Sequence, residues 1–195
     1  MRTRPRLARL TPTLVALTLL GAACGSGSSR ETTRPLDDPT VDGPTADEAS
    51  FSVVAYQGED LLGGSEITFD SLLGHGTPVV LNYWAAQCPP CRAEMPWFQA
   101  AYEQHADSVL LVGIDVGRFT GLGTNEQGVQ LLEDLDITYP AVYAVDDTPL
   151  RHLEILSMPS TVLFDAAGEV VGNHAGIMTE QRIEDWFIKL AAGAE

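Results

Sequence analysis

The chain has 195 residues, which is enough for one domain of ordinary size with additional segments. Hydrophobic residues make up 45% and charged residues 19%, a composition typical of globular proteins. The 27 acidic residues outnumber the 11 basic ones, which gives a net charge of −16 at pH 7. A surface of this charge repels nucleic-acid phosphates, so the composition argues against nucleic-acid binding.

Residues 1–23 have the pattern of a secretory signal peptide. Four arginines lie in the first nine residues, and an uncharged stretch of 14 residues runs from Leu10 to Ala23. A membrane-spanning helix needs about 20 apolar residues, so this stretch is too short for one. The basic start, the short apolar run and the small residues at its end predict an export signal, with a short buried helix as the alternative.

The end of this segment, Leu20-Gly21-Ala22-Ala23-Cys24, resembles the lipobox of bacterial lipoproteins, although Gly21 stands where the lipobox usually has leucine. In a lipobox the cysteine is diacylated and becomes the mature N-terminus. Cys24 is also the one cysteine of three that lies outside a close pair, which favours lipidation. The predicted location is the extracytoplasmic face of the bacterial cell membrane, with soluble secretion as the alternative.

Residues 24–50 are predicted to form a disordered acidic tether that begins with the lipidated cysteine. The segment contains a Gly-Ser-rich run, three prolines and six acidic residues, and its branched aliphatic residues are Leu36 and Val41 alone. Such a sequence cannot bury enough apolar surface to offset the entropic cost of ordering it. The remaining residues, 51–195, are predicted to form one domain.

Hydrophobic patterns predict the elements of this domain. Two short apolar runs around a glycine-rich turn predict an N-terminal hairpin, and two nearly continuous apolar runs predict strands that are buried on both faces. In chain order, the predicted elements are strands Ser52–Gln57, Ser65–Phe69 and Pro78–Trp84, a helix from Pro90 to about His105, strand Val109–Asp115, helix Asn125–Leu135, strands Thr161–Phe164 and Val170–His174, and a last helix capped by Thr179 with the inner face Ile183, Trp186, Phe187 and Leu190. This order predicts an α/β fold, with a mixed central β-sheet flanked by helices and an N-terminal hairpin extension.

The motif Cys88-Pro89-Pro90-Cys91 lies between a buried strand and a helix start. Two cysteines at this spacing can form a disulfide, and the helix N-terminus stabilises a thiolate on Cys88. A thiolate attacks disulfides, and Cys91 can then resolve the mixed disulfide. The motif therefore predicts redox chemistry. A structural disulfide, which would close too short a loop to stabilise much, and half of a zinc site, which lacks further ligands at metal spacing, are the alternatives.

The segment Asn82–Pro96 resembles the active-site segment of thioredoxin-fold proteins, and more narrowly that of the TlpA/ResA-like membrane-tethered thiol–disulfide oxidoreductases. The likeness runs from about residue 52 to residue 190 and includes Leu135–Pro140 and Met158–Gly168. It implies a thioredoxin-like fold and an enzyme that exchanges its dithiol with client protein disulfides. It implies neither a cofactor nor a bound metal.

The resemblance also implies roles for individual residues. Cys88 would be the exposed nucleophile and Cys91 the buried resolving thiol. Pro159 would form a cis-proline loop that faces the cysteines. The backbone of Met158 would pair with the substrate as a strand. Pro89 and Trp84 are expected to be further substrate-binding residues, although Trp84, like Trp97, is expected to be a core residue first that also shields the dithiol.

Glu94 is predicted to be an acid–base group. Thioredoxin has a buried aspartate at the position of Asn82, whereas the ResA-like subgroup has a glutamate three residues after the second cysteine, where this chain has Glu94. One helical turn past Cys91, this carboxylate would lie near the dithiol, and partial burial would raise its pKa towards neutrality. The alternative is a solvated carboxylate that only complements the helix dipole.

The predicted direction of electron flow is that of a reductant. Pro89 and Pro90 lack N–H groups, so a Cys88 thiolate has fewer donors and its pKa should be less depressed than in strong oxidants. Relatives usually have an aromatic residue at the position of Gln87. Because this chain lacks that hydrophobic docking surface, the resemblance does not predict which client it binds. Net oxidation of secreted proteins, and a copper- or haem-handling protein that uses the cysteine pair and Met158 as soft ligands, are the alternatives.

The partners follow from charge and from the resemblance. Residues 51–195 contain five basic and 21 acidic side chains, a net charge of −16, which suits a basic client such as apocytochrome c. Cytochrome c maturation is therefore the expected process, with an unknown membrane electron donor to recycle the dithiol. The chain is expected to be a monomer.

Overall fold

The computed structural model describes residues 50–193. The predicted signal peptide, Cys24 and the predicted tether up to residue 49 lie outside the described residues, so those interpretations stay predictions. Within residues 50–193, none of the helices combines the length and the apolar character needed to cross a membrane.

Strands and helices alternate along the described part of the chain. The strands are β1 (Ser52–Gln57), β2 (Glu66–Thr68), β3 (Val79–Trp84), β4 (Leu110–Asp115), β5 (Ala141–Ala144), β6 (Ser160–Phe164) and β7 (Val170–Ala175). The helices are α1 (Glu59–Leu62), α2 (Pro89–His105), α3 (Gly117–Thr120), α4 (Asn125–Asp134), α5 (Thr148–His152) and α6 (Glu180–Gly193), and a 3-10 helix spans Phe69–Leu72.

The strands form one mixed sheet in the order β2-β1-β5-β4-β3-β6-β7. The three central neighbours β5, β4 and β3 are parallel, and the other neighbours are antiparallel. One hydrophobic core lies beneath α2, α4 and α6, and a second lies on the opposite face beneath α1, the 3-10 helix and α5. The predicted α/β thioredoxin-like fold, with a mixed sheet flanked by helices, is confirmed.

The central strand β3 is buried on both faces, as its apolar run predicts. Val80 and Trp84 belong to the core beneath α2, whereas Leu81 and Tyr83 belong to the opposite core. The carboxyl end of β3 lies beside the carboxyl end of β4, because these two strands are parallel and Trp84 pairs with Asp115. This edge of the sheet carries the candidate site.

Helix α2 begins at Pro89, one residue before the predicted start. Cys88 is its N-cap, and prolines are well suited to the first turn because N–H groups there have no partner within the helix. Further along, Phe98 of α2 packs edge-on against Phe187 of α6, with ring centroids 6.4 Å apart. This contact anchors the helix that presents the cysteines to the rest of the core.

The last helix has the predicted cap and nearly the predicted inner face. The Arg182 N–H donates to Thr179 Oγ1 at 3.3 Å. Ile183, Phe187 and Leu190 are buried, whereas Trp186 is only half-buried.

The N-terminal hairpin is confirmed, but its turn is more elaborate than expected. β1 and β2 pair antiparallel, and the connection contains the one-turn helix α1 between Gly58 and Gly63. Both glycines have positive φ angles, 87° and 82°, which side chains disfavour and glycine allows. The strand β5 was not predicted; it has four residues and follows Pro140, which weakened the apolar pattern there.

Candidate active site

Cys88 and Cys91 form a disulfide at the N-terminus of α2, with their Cα atoms 5.3 Å apart. The Cys91 N–H donates to Cys88 Sγ at 3.3 Å. Cys91 is fully buried, as the resemblance implies, but Cys88 is only 3% exposed, so the expectation of an exposed Cys88 is wrong for the oxidised protein. The reason is packing, since Cys88 belongs to the same hydrophobic cluster as Met95, whereas Pro89 beside it is exposed.

The Met158–Pro159 peptide bond is cis, as the resemblance implies. Because Tyr83 pairs with Ser160, Pro159 lies at the same edge of the sheet as the loop that leads to Cys88. Pro159 is buried, and its carbonyl accepts a hydrogen bond from the Gly176 N–H at 2.8 Å. Met158 is half-buried and packs against both hydrophobic cores.

Trp84 does not have the predicted role of a substrate-binding residue. Its side chain is fully buried, so a client cannot contact it. The indole ring lies over Gly113 of β4, where an added Cβ would come within 2.8 Å of Trp84 Nε1 and 2.9 Å of the Tyr139 ring. Trp84 therefore supports the site from within the core, in space that a glycine keeps open.

Glu94 lies in the second turn of α2 and its side chain is fully buried, so the alternative of a solvated carboxylate is wrong. Its Oε1 accepts a hydrogen bond from Asn82 Nδ2 at 2.9 Å, and its Oε2 accepts one from the Met178 N–H at 3.0 Å. Burial raises the pKa of Glu94 to about 7, although both hydrogen bonds act in the opposite direction. At neutral pH this carboxyl group can therefore either give or accept a proton.

Asn82 holds Glu94 in place, a role that the sequence did not reveal. Besides Glu94, Asn82 Nδ2 contacts Thr161 Oγ1 at 3.1 Å, while Asn82 Oδ1 is buried without a hydrogen-bond partner among the described residues. A polar side chain in the middle of an otherwise apolar buried strand was the available signal. The amide N–H of Met178, which lies 84 residues from Glu94, gave none.

A second buried carboxylate, that of Asp115, lies at the same edge of the sheet. It accepts hydrogen bonds from Tyr56 Oη and from the Gly117 N–H, at 2.9 and 2.8 Å. The role of Asp115 was not predicted from the sequence, although a charged residue at the end of a buried apolar strand is a recognisable signal. Within residues 50–193, no group of three or more His, Cys, Asp or Glu side chains is arranged to hold a metal ion.

A model of the AhpC/TSA family matches residues 49–172. The chain belongs to the AhpC/TSA family. The chain is 29% identical over 143 residues to the sporulation thiol-disulfide oxidoreductase A of Bacillus subtilis, covering 71% of this chain and 78% of that protein. It is 31% identical over 142 residues to the thiol-disulfide oxidoreductase ResA of Halalkalibacterium halodurans, covering 71% of this chain and 75% of the relative.

The fold of this AhpC/TSA protein is also that of a solved structure, the exposed lipoprotein thioredoxin of Streptococcus pneumoniae. The TM-score is 0.59 at 20% identity, and the match covers 73% of this chain and all of the other. The predicted resemblance and the predicted enzyme class, a thiol–disulfide oxidoreductase, are confirmed. The roles of the individual residues stay predictions.

Proposed function

We propose that this protein is an extracytoplasmic thiol–disulfide oxidoreductase that acts as a reductant of client protein disulfides. The observation that carries the proposal is the Cys88–Cys91 disulfide at the N-terminus of α2, with Glu94 buried one turn behind it. Both groups that the exchange reaction needs, a dithiol and a carboxyl group that can hold a proton at neutral pH, therefore lie on one helix.

The exchange proceeds through a mixed disulfide. The Cys88 thiolate attacks one sulfur of the client disulfide, and the other client sulfur leaves and takes up a proton. Cys91 then gives up its proton, for which Glu94, three residues further along the same helix, is the proposed acceptor, and the Cys91 thiolate attacks the Cys88 sulfur. This attack breaks the bond between Cys88 and the client, and the released client sulfur takes up the second proton. The client leaves with two thiols, and Cys88 and Cys91, which have given it two electrons, are joined as a disulfide.

The first test of these roles separates the two cysteines. We expect Cys91→Ser to accumulate a mixed disulfide with a client, because the resolving thiol is missing. Cys88→Ser should accumulate none, because Cys91 is fully buried within the first turn of α2, whereas Cys88 caps the helix beside the exposed Pro89. Mass spectrometry of the trapped adducts measures both. A variant Cys88→Ser that traps clients as well as Cys91→Ser would contradict this assignment.

The direction of electron flow is supported by the donors around Cys88. The Cys91 N–H lies 3.3 Å from Cys88 Sγ, and Pro89 and Pro90 contribute no N–H groups in the first turn. A thiolate with few donors is stabilised less, which makes the reduced protein a better electron donor. This is the physical basis for proposing a reductant.

Equilibration of the full-length protein with dithiothreitol buffers tests the direction. A reduction potential near or below about −250 mV supports a reductant, whereas a value near about −120 mV makes the protein an oxidant and overturns the proposal. A disulfide that does not form reversibly would exclude exchange with clients altogether.

We further propose that the protein is held at the membrane by lipid on Cys24. The basic start, the short apolar run and the lipobox-like sequence before Cys24 support this location, as does the fold shared with an exposed lipoprotein of S. pneumoniae. Fractionation of cells that express the wild type and Cys24→Ala tests it. Lipid anchoring requires the wild type in the membrane fraction and the variant released from it.

The proposed client is a basic protein with a pair of cysteines, with apocytochrome c as the leading candidate. Support comes from the net charge of −16 over residues 51–195, because opposite charges accelerate encounter. Two disulfide peptides that differ only in flanking lysines or glutamates test the charge preference. The lysine peptide should be reduced faster at low salt, and the difference should shrink at high salt. Equal rates at low salt would contradict the proposed client class.

A further inference from the structure

Asp115, the last residue of β4, is a buried acidic group outside those assigned to the dithiol. It is 3% exposed, and both carboxylate oxygens have partners: Tyr56 Oη on β1 at 2.9 Å and the Gly117 N–H at 2.8 Å. Burial raises its pKa above the ordinary value, while the two hydrogen bonds favour the charged form. Burying a carboxylate costs free energy even when it is hydrogen-bonded, so the position of Asp115 calls for a function.

Helix α4 packs closely over the side chains of Asp115 and Tyr56. A Cβ at Gly128 would come within 2.8 Å of Tyr56 Oη and would overlap the Asp115 carboxylate. Glycine inside a helix is less favourable than alanine. Glycine nevertheless occupies the position at which α4 covers Asp115 and Tyr56.

A short series of hydrogen bonds, one to the Asp115 carboxylate and two between backbone groups, joins Asp115 to the loop before Cys88. Asp115 fixes the Gly117 N–H, and the Gly117 carbonyl accepts a hydrogen bond from the Leu122 N–H at 3.0 Å. The Leu122 carbonyl in turn accepts one from the Gln87 N–H at 2.7 Å. Gln87 directly precedes Cys88, so the N-cap residue of α2 is connected to Asp115 through three successive hydrogen bonds.

The side chain of Gln87 makes a parallel connection to α4. Its Nε2 donates to Gln127 Oε1 at 3.0 Å, and the same oxygen accepts the Thr124 N–H as part of the capping box of α4. Ala86 packs against Gly123, where an added Cβ would lie 3.1 Å from the Ala86 Cβ. The loop before Cys88 therefore rests on the segment that Asp115 holds to the sheet.

We propose that Asp115 and Tyr56 are positioning residues for Cys88. They fix segment 117–123, whose Leu122 carbonyl holds the Gln87 amide. Cys88 thereby keeps the N-cap geometry in which its sulfur accepts the Cys91 N–H. That donor stabilises the thiolate formed on reduction, and the two prolines offer no substitute. The inference goes beyond the proposed function, because it applies to a reductant and to an oxidant alike.

The variant Tyr56→Phe tests the proposal with little structural change. Tyr143→Phe is the matched control, because the Tyr143 ring lies 5.0 Å from that of Tyr56 and its hydroxyl makes no hydrogen bond within residues 50–193. The readout is the alkylation rate of Cys88 by iodoacetamide in reduced full-length protein between pH 6 and pH 9. Peptide mass spectrometry resolves Cys88 from Cys24 and Cys91.

One intramolecular hydrogen bond contributes about 1 kcal/mol, which corresponds to about a fivefold change in an equilibrium. We therefore expect Tyr56→Phe to lower the alkylation rate at pH 7 by up to about fivefold and to move the rate–pH profile to higher pH. The equilibrium constant with dithiothreitol should shift as well. The titratable groups that influence Tyr56 are Asp115, Tyr143 and Glu126, and the control retains Asp115 and Glu126.

Two variants of Asp115 separate position from charge. Asp115→Ala removes both contacts and should slow alkylation more than Tyr56→Phe does. Asp115→Asn keeps an acceptor for the Gly117 N–H and can pair with the Tyr56 hydroxyl through its amide, so it should restore the wild-type rate. If Asp115→Ala does not fold, Tyr56→Phe and Asp115→Asn still decide the matter.

Three results would overturn the proposal. The first is a wild-type rate and profile in folded Tyr56→Phe. The second is a lower urea midpoint with an unchanged rate, which is the mark of a purely structural contact. The third is an Asp115→Asn variant as slow as Asp115→Ala or Tyr56→Phe, because this variant keeps both contacts and would show that they do not set the rate. The wild-type potential, measured separately, decides the proposed function without reference to these variants.

Discussion

Glu94→Gln should change the way in which stability depends on pH. The pKa of Glu94 is about 7 in the folded protein against 4.5 for an unperturbed glutamate. Because the folded pKa is the higher one, the folded state binds the proton more tightly. The stabilisation is fully present below pH 4.5 and is lost as the pH rises through 7. A difference of this size corresponds to about 3 kcal/mol, since each pKa unit is worth about 1.4 kcal/mol.

Glutamine suits this site because the buried amide of Asn82 can adapt to it. The Met178 N–H keeps its acceptor if the glutamine oxygen occupies the position of Oε2. A rotation of the Asn82 amide then turns its unpartnered Oδ1 towards the new Nε2, and Thr161 can donate its hydroxyl instead of accepting. The variant should therefore fold with both polar contacts intact and without the charge.

Urea unfolding of oxidised full-length protein between pH 5 and pH 8 measures the effect. Relative to Glu94→Gln, the wild type should lose about 2 to 3 kcal/mol of unfolding free energy across this range. Glu133→Gln, on the exposed face of α4, is the control and should follow the wild type. A constant difference between the wild type and Glu94→Gln at every pH would refute the reasoning, since it would mean that Glu94 keeps one charge state throughout.

Three further substitutions test the packing around the site by urea unfolding against the wild type. Gly128→Ala should lose about 1 to 3 kcal/mol, because the new Cβ overlaps the Asp115 carboxylate; a more stable variant would contradict that close fit. Thr124→Ala should lose about 1 kcal/mol with the capping box of α4, and an unchanged midpoint would count against this cap. Phe187→Ala should lose about 3 to 5 kcal/mol, whereas a loss below 1 kcal/mol would show that α6 does not depend on this contact.

The elements that sequence analysis predicted best are those with strong local signals. β3 and β4 are long apolar runs, and α2 begins at prolines that favour a first turn. β5 escaped because it has only four residues, two of them alanines, and obtains its order from the strands on either side. A strand of this kind is specified by its neighbours rather than by its own sequence.

In the candidate site, too, residues within a local motif were predicted, whereas features that depend on contacts distant in sequence were not. The cysteines and Glu94 were predicted from one motif and one resemblance. The burial of Trp84 depends on Gly113 in the next strand, which sequence spacing does not show, and the prediction of a client contact there was wrong. Asp115 went unnoticed because its partner Tyr56 lies 59 residues earlier in the chain.

The two buried carboxylates also bear on the order in which the protein folds. Glu94 obtains a partner 84 residues later in the chain, and Asp115 obtains one 59 residues earlier. Contacts of such high sequence separation form slowly, because loop-closure entropy must be overcome first. Until Met178 and β1 have docked, Glu94 therefore lacks the Met178 N–H and Asp115 lacks the Tyr56 hydroxyl. The set of hydrogen bonds that supports the two buried carboxylates is thus complete only when both ends of the domain are in place.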